Sequence, residues 1–174
     1  MLPSSFQPPI RGDVPGQSSV SQSIETNIAK GTATVAKLLE GKGAEVFSIR
    51  AQDTLAEAVE ALRTRRIGAL VVTDAEGALE GILSERDIVR RLAETPGRTL
   101  GQRVEEVMTR RVEVCQPEEA LVSVLRRMTA GRFRHMPVMQ GETLCGIVTI
   151  GDVVNYRLNE LEHETLQLKQ MIVG

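Results

Sequence analysis

Aromatic rings are nearly missing from this chain. Of its 174 residues only 2% are aromatic (Phe6, Phe47, Phe133 and Tyr156), and there is no tryptophan. Proteins that hold single-stranded nucleic acid stack bases on aromatic platforms, and four scattered rings provide none. A formal net charge of −2 at pH 7 likewise offers no broad basic surface for a phosphate backbone. Cysteine and histidine are as scarce: Cys115, Cys145, His135 and His163. No Cys-x-x-Cys spacing occurs among them, so no sequence-local metal cluster forms. Both cysteines lie in apolar, strand-like surroundings and read as small buried hydrophobes of a reduced protein. Nothing approaches the run of about 18 apolar residues that a membrane-spanning helix needs. The N-terminus also lacks a charged-then-apolar signal pattern. These absences predict a soluble, cytoplasmic protein with neither nucleic acid nor membrane as partner, and a core of Val, Ile, Leu, Met and Ala.

What is present begins at about Thr32. Residues 1–31 hold four of the seven prolines and six serines, with few large apolar side chains. Such a stretch cannot bury enough surface to offset its ordering entropy, so a disordered tail is expected. Beyond it an internal repeat appears. Val46-Phe47-Ser48-Ile49 reads as a short strand. Asp53-Thr54 then opens a helical pattern with Leu55, Ala58, Val59 and Leu62. Ile67–Val72 and Leu79–Leu83 read as two strands around a turn at Asp74–Gly77, and a helix follows from Glu85. About 65 positions later the order returns. Val112–Cys115 reads as a strand, and Leu121, Val124, Leu125 and Met128 mark a helix. Met136-Pro137-Val138 and Leu144–Thr149 read as strands, and a helix opens near Gly151. Val46 answers Val112, Val72 answers Val138, and Gly81, Ser84 and Asp87 answer Gly146, Thr149 and Asp152.

This is a tandem duplication of a β-α-β-β-α unit, of mixed α/β (α+β) class. The expected divisions are residues 32–98 and 99–156 for the two repeats and 157–174 for a C-terminal helix. Each unit alone would be marginal, since units of this size bury too little surface. Two units stacked face to face are expected to share a core. Val35, Leu38 and Leu39 before the first unit match Val104, Val107 and Met108 before the second, and are expected to tie the units together.

The segments that carry chemistry are Gly81-Ile82-Leu83-Ser84-Glu85-Arg86-Asp87 and Gly146-Ile147-Val148-Thr149-Ile150-Gly151-Asp152. In both, an apolar strand ends at a hydroxyl residue and an Asp follows three positions on as a helix opens. One reading is a capping box, with the hydroxyl at the N-cap and the carboxylate folded back onto its amide. The other is a ligand site. A positive helix end with free N–H groups suits a phosphate, and the Asp would accept both hydroxyls of a ribose. A second segment, Arg132-Phe133-Arg134-His135-Met136-Pro137-Val138, places basic groups at the entrance of a core strand. Arg134 and His135 there would grip an anionic phosphate at the mouth of a cleft. The first unit has Gly68 and Ala69 at the matching positions, so two clefts would not be equivalent.

The duplicated unit, its Gly-x-x-[Ser/Thr]-x-x-Asp ending and the Arg134–Val138 segment together resemble a CBS-domain pair, or Bateman module. The resemblance covers about residues 34–156 and points to a stand-alone regulatory protein whose two repeats pack with pseudo-two-fold symmetry. It implies an adenosyl ligand such as AMP, ADP, ATP, NAD or S-adenosylmethionine between the repeats, with no cofactor required. Asp87 with Ser84, and Asp152 with Thr149, would take the nucleoside, and Arg134 and His135 the phosphate. Backbone around Val46 and Phe47, and around Val112 and Val114, would line the base pockets. The ligand would bias the relative orientation of the repeats, to be read by a regulated partner or by a second copy of the chain.

Two further features complete the reading. Val154, Leu158, Leu161, Thr165, Leu168 and Ile172 follow a heptad-like spacing, which makes a homodimer plausible. No nucleophile–base–orienter set and no P-loop can be assembled, so no enzymatic activity is expected. The competing reading is an interaction or dimerisation module that binds no ligand, with the two Ser/Thr-x-x-Asp turns acting as helix caps only.

Overall fold

The computed structural model describes residues 33–173; the tail expected at residues 1–31 lies outside them. Thr34 caps helix α1 (Val35–Lys42), its hydroxyl accepting from the Lys37 N–H. The first repeat starts with the short strand β1 (Ser48–Ile49). Thr54 and Glu57 then form a full capping box at the start of helix α2 (Leu55–Arg65). Leu55, Ala58 and Leu62 turn inward from α2, while Val59 is 37% exposed at the edge of that face. Arg66, in the left-handed region at φ 55°, ends the helix. Strand β2 (Ala69–Thr73) is buried at all five positions, because β1 pairs with it in parallel on one side and β3 (Leu79–Ser84) antiparallel on the other. Helix α3 (Glu85–Glu94) closes the unit.

The second repeat has the same order with one omission. Helix α4 (Leu121–Gly131) ends at Arg132, again left-handed, at φ 56°. Strands β4 (His135–Gln140) and β5 (Thr143–Thr149) form a hairpin, and helix α5 runs unbroken over Ile150–Val173. Both hairpins carry a register shift at the matched place, Val72/Thr73 and Val138/Met139. The strand expected at Val112–Cys115 shrinks to a single parallel bridge, Cys115 to Val138. The cause is Pro137. In the first repeat the Val71 N–H donates to the Phe47 carbonyl at 3.1 Å; Pro137 holds the position of Val71 and has no N–H to donate.

The expected shared core is in fact two cores, each completed by the other repeat's lead-in. Val35 and Leu38 of α1 lie in the second cluster, with Leu121, Met128, Met136 and Val148. Val104 and Met108, from the segment before the second repeat, lie in the first, with Leu55, Leu62, Leu70 and Leu83. Backbone hydrogen bonds repeat the exchange. Leu121 N–H donates to Ala33 at 2.9 Å, Val35 N–H to Glu119 at 3.0 Å and Ala36 N–H to Pro117 at 2.8 Å. Their counterparts run from Leu55 to Gln102 at 2.9 Å, Val104 to Asp53 at 2.9 Å and Glu105 to Ala51 at 3.0 Å. This reciprocity is the pseudo-two-fold relation of the repeats.

The exchange also accounts for the matched glycines of the strands. A methyl group at Gly81 would lie 2.9 Å from the Thr109 carbonyl oxygen and 3.0 Å from Met108 Sδ. One at Gly146 would lie 2.8 Å from Leu39 Cδ1. Each glycine thus leaves room for the lead-in of the other repeat. The obstacle at Gly81 is backbone, which cannot yield, whereas that at Gly146 is the end of a flexible side chain. Gly81→Ala should therefore cost about 1–3 kcal/mol as an overpacked site, and Gly146→Ala less than about 1 kcal/mol. Urea unfolding of the two variants checks this, and equal losses would contradict it.

Candidate functional site

Both Ser/Thr-x-x-Asp turns form reciprocal caps. Ser84 donates to Asp87 Oδ2 through its N–H at 2.9 Å and its hydroxyl at 2.6 Å, and the Asp87 N–H returns to Ser84 Oγ at 3.4 Å. The Thr149 N–H donates to Asp152 Oδ2 at 2.8 Å, and the Asp152 N–H to Thr149 Oγ1 at 3.1 Å. The first amide of each helix is engaged as well: Glu85 N–H donates to the Gly68 carbonyl at 3.0 Å, and Ile150 N–H to that of Arg134 at 3.1 Å. The helix ends therefore expose fewer free N–H groups than the sequence suggests. A carboxylate accepts at several lone-pair positions, so a cap through one oxygen leaves Asp87 able to accept from a ligand.

The capping turn of the first repeat opens into a cleft of about 380 Å³ whose far wall belongs to the second repeat. Ser84, Asp87, Arg86 and Arg90 come from the first repeat; Arg111, Val112, Arg132, Phe133, Arg134 and His135 come from the second. Chain geometry makes this meeting possible. A methyl group at Gly68 would lie 3.3 Å from His135 Cε1 and Nε2, so the ring packs closely over the glycine and would have to shift by a few tenths of an ångström to admit a side chain. Gly131 lies closer still to Phe133, whose Cε1 a methyl group there would meet at 2.3 Å. Arg86 spans the cleft floor, donating to the Arg132 carbonyl at 2.9 Å. Arg90 lies 4.0 Å from Asp87 Oδ1.

The second Asp is placed differently. Asp152 is ion-paired with Lys42 of α1, and the same ammonium donates to the Ile147 carbonyl at 2.8 Å. Asp152 faces a groove between α1 and α5 together with Tyr156 and His163. Thr149 lines neither groove. Of the residues expected at base pockets, Val112 lines the first cleft, but Val46, Phe47 and Val114 do not. Phe47 packs on the first core beneath the Arg65 guanidinium, 4.6 Å from its ring centre. The Val114 carbonyl accepts from Arg127, a guanidinium that also pairs with Glu113 and Glu119, each at 2.9 Å.

Burial, the largest cause, holds the His135 imidazole below its ordinary pKa; Lys42 and Arg134 push the same way, and Asp152 and Glu85 oppose them. The ring is therefore neutral at pH 7, so positive charge at the cleft comes from guanidinium groups. Arg86, Arg90 and Arg111 were not singled out in the sequence. The spacing of Arg86 and Arg90, one helical turn apart beside Asp87, is the signal that could have found them. Neither cysteine lines the cleft, and burial pushes the Cys115 thiol up to about 12, which leaves it a packing group. Among the described residues no helix is long and apolar enough to cross a membrane.

Two repeats that exchange lead-ins around an inter-repeat cleft define a tandem paired module. The family model for the CBS domain matches this chain twice, over residues 43–94 and 104–159. The chain belongs to the CBS-domain family and carries a tandem pair. A crystal structure of a CBS-domain-containing protein from Agrobacterium tumefaciens is 40% identical, with a TM-score of 0.71 over 74% of this chain and 96% of that one. The CBS domain pair of protein MJ0100, solved with 5′-methylthioadenosine and S-adenosyl-L-methionine, shares the fold at a TM-score of 0.67 and 24% identity, covering 75% of this chain and 99% of that one. An uncharacterized 33.4 kDa protein in the ribosomal RNA operon of Thermofilum pendens is 35% identical over 133 residues. That match takes in 74% of this chain and 43% of the relative's length.

The lowered pKa of His135 fixes the sign of a pH effect. Below the ordinary value of 6.5 the unfolded chain binds a proton that the folded ring resists, so stability falls as pH drops through that range. A His135→Asn variant should show a shallower loss of stability below pH 6.5 than the wild type, and the same pH dependence above it. Identical slopes in denaturant titrations at pH 5 to 7 would contradict this.

Proposed function

We propose that the cleft between Ser84–Asp87 and Arg132–His135 binds an anionic adenosine nucleotide, and that its occupancy regulates a partner. CBS-domain pairs are regulatory modules, and the MJ0100 pair, solved with two adenosine compounds, supports the adenosine part of the ligand, while the phosphate part rests on the arginines of this cleft. The observation that carries the reading is the crossing of the cleft. The hydroxyl–carboxylate turn of one repeat faces the arginine-rich strand entrance of the other within a single cavity of about 380 Å³, a size common for small-molecule sites. Asp87 would accept the ribose hydroxyls and Ser84 would assist. Phe133 and the backbone at Val112 would flank the base. Arg134 and Arg132 would meet the phosphates, as forked donors do, with His135 as a neutral hydrogen-bonding neighbour. The guanidinium groups favour AMP, ADP, ATP or NAD over S-adenosylmethionine, whose sulfonium is itself positive. A bound nucleotide touches both repeats and would favour one relative orientation of them by its differential affinity.

The second Asp supports an asymmetric module. Lys42 already neutralises Asp152, and the matching strand entrance offers Gly68 and Ala69 in place of Arg134 and His135. We infer one nucleotide site per chain, with Thr149 and Asp152 serving the cap and the link to α1.

Thermal-shift titration tests the reading, each variant being measured against its own ligand-free baseline. A nucleotide at a hundred times its Kd adds about 2.7 kcal/mol, or roughly 5–10 °C in Tm. Asp87→Ala and Arg134→Ala should lose most of that rise, and Asp152→Ala should keep it. If no nucleotide at millimolar concentration moves the Tm, the module binds no ligand and acts through protein contacts alone.

A further inference from the structure

Among the described residues, none covers the distal half of α5. Up to Glu160 the helix has an inward face of Val153, Tyr156, Arg157 and Glu160; from Leu161 to Ile172 every side chain is exposed. Leu161 is 44% exposed, Leu168 61% and Ile172 83%. A dozen residues of isolated helix are marginal in water, and leucines at this spacing lose contact energy by facing it.

We propose that this stripe is the seam of a parallel two-stranded coiled coil with a second copy of the chain, an inference independent of nucleotide binding. Val154, Leu161 and Leu168 take the d positions of a heptad, and Leu158, Thr165 and Ile172 take the a positions. Charge selects the occupant. In a parallel pair each g side chain faces the e side chain five positions on in its partner. The g residues Arg157 and Glu164 then meet the e residues Glu162 and Lys169 of the other copy, opposite signs in both cases. Arg157 also pairs with Glu160 of its own helix at 2.8 Å. An antiparallel pair sets g against g and e against e, and no single register then satisfies both Arg157 and Lys169. A helix that carries both signs at the offset its own copy requires is complementary to itself. Thr165, the one polar a position, sets the register, as polar groups in such seams do. The seam is under three heptads long, so the dimer is a concentration-dependent one.

Sedimentation velocity on the full chain over a range of concentrations is the test. A reversible dimer is expected, and Leu161→Glu with Leu168→Glu should raise its dissociation constant at least about a hundredfold by putting carboxylates in the seam. Both positions are exposed in the single chain, and circular dichroism verifies that the variant keeps its fold. Glu164→Lys should weaken the dimer several-fold, and adding Lys169→Glu should restore it. With Cys145→Ser as background, Thr165→Cys should give an interchain disulfide on mild oxidation, since a faces a only in the parallel arrangement. A wild type that stays monomeric throughout, a dimer that survives both seam carboxylates, or a Thr165→Cys dimer that does not cross-link would each overturn the proposal.

Discussion

Neither repeat can close its own core. A unit of roughly 60 residues buries only about 60% of the surface its unfolded chain exposes, and here the deficit is met by exchange. α1 inserts Val35 and Leu38 into the second core, and Val104 and Met108 enter the first. Three backbone hydrogen bonds on each side, at matched positions, hold the inserted segments. The relative placement of the repeats follows from this constraint. So do the glycines of the two strands, which make space for the inserted side chains, and the inter-repeat cleft, whose walls are brought together by the same crossing.

Duplication gives two copies of every feature, yet the two sides have diverged in chemistry. On one side Asp87 looks across the cleft at Arg132, Arg134 and His135. On the other, Lys42 at the end of α1 has taken the carboxylate of Asp152. The substitution of Gly68 for an arginine serves both halves of this division. It removes a cation from one side and makes the space into which the His135 ring packs on the other. A residue that looks like a lost function in its own repeat thus also gives close packing room to its partner's.

The β-α-β-β-α order and its doubling were legible because apolar periodicity and turn residues report local structure directly. Leu55, Ala58 and Leu62, for instance, fall on the buried face they predict. The missing strand at Val112–Cys115 was hidden because it depends on a pairing partner: only when Pro137 is seen opposite does the lost donor matter. The exchange of lead-ins was half legible, since Val35, Leu38 and Leu39 visibly match Val104, Val107 and Met108, but a repeat does not say into which core it packs. The candidate site divides the same way. Ser84, Asp87, Arg134 and His135 stand out by motif, whereas Arg86, Arg90 and Arg111 acquire meaning only once the crossing sets them around one cavity. The Lys42–Asp152 pair joins residues 110 positions apart, a separation at which sequence spacing carries no information.

One anionic-nucleotide site per chain, built across the repeats, is what the proposed function requires. Its most direct measurement is the stoichiometry of ADP binding to the intact protein by titration calorimetry. One molecule of ADP per chain is the expected result. Two equivalent sites would contradict the asymmetry that Lys42 and Gly68 impose, and no binding heat at any accessible concentration or temperature would contradict the site itself.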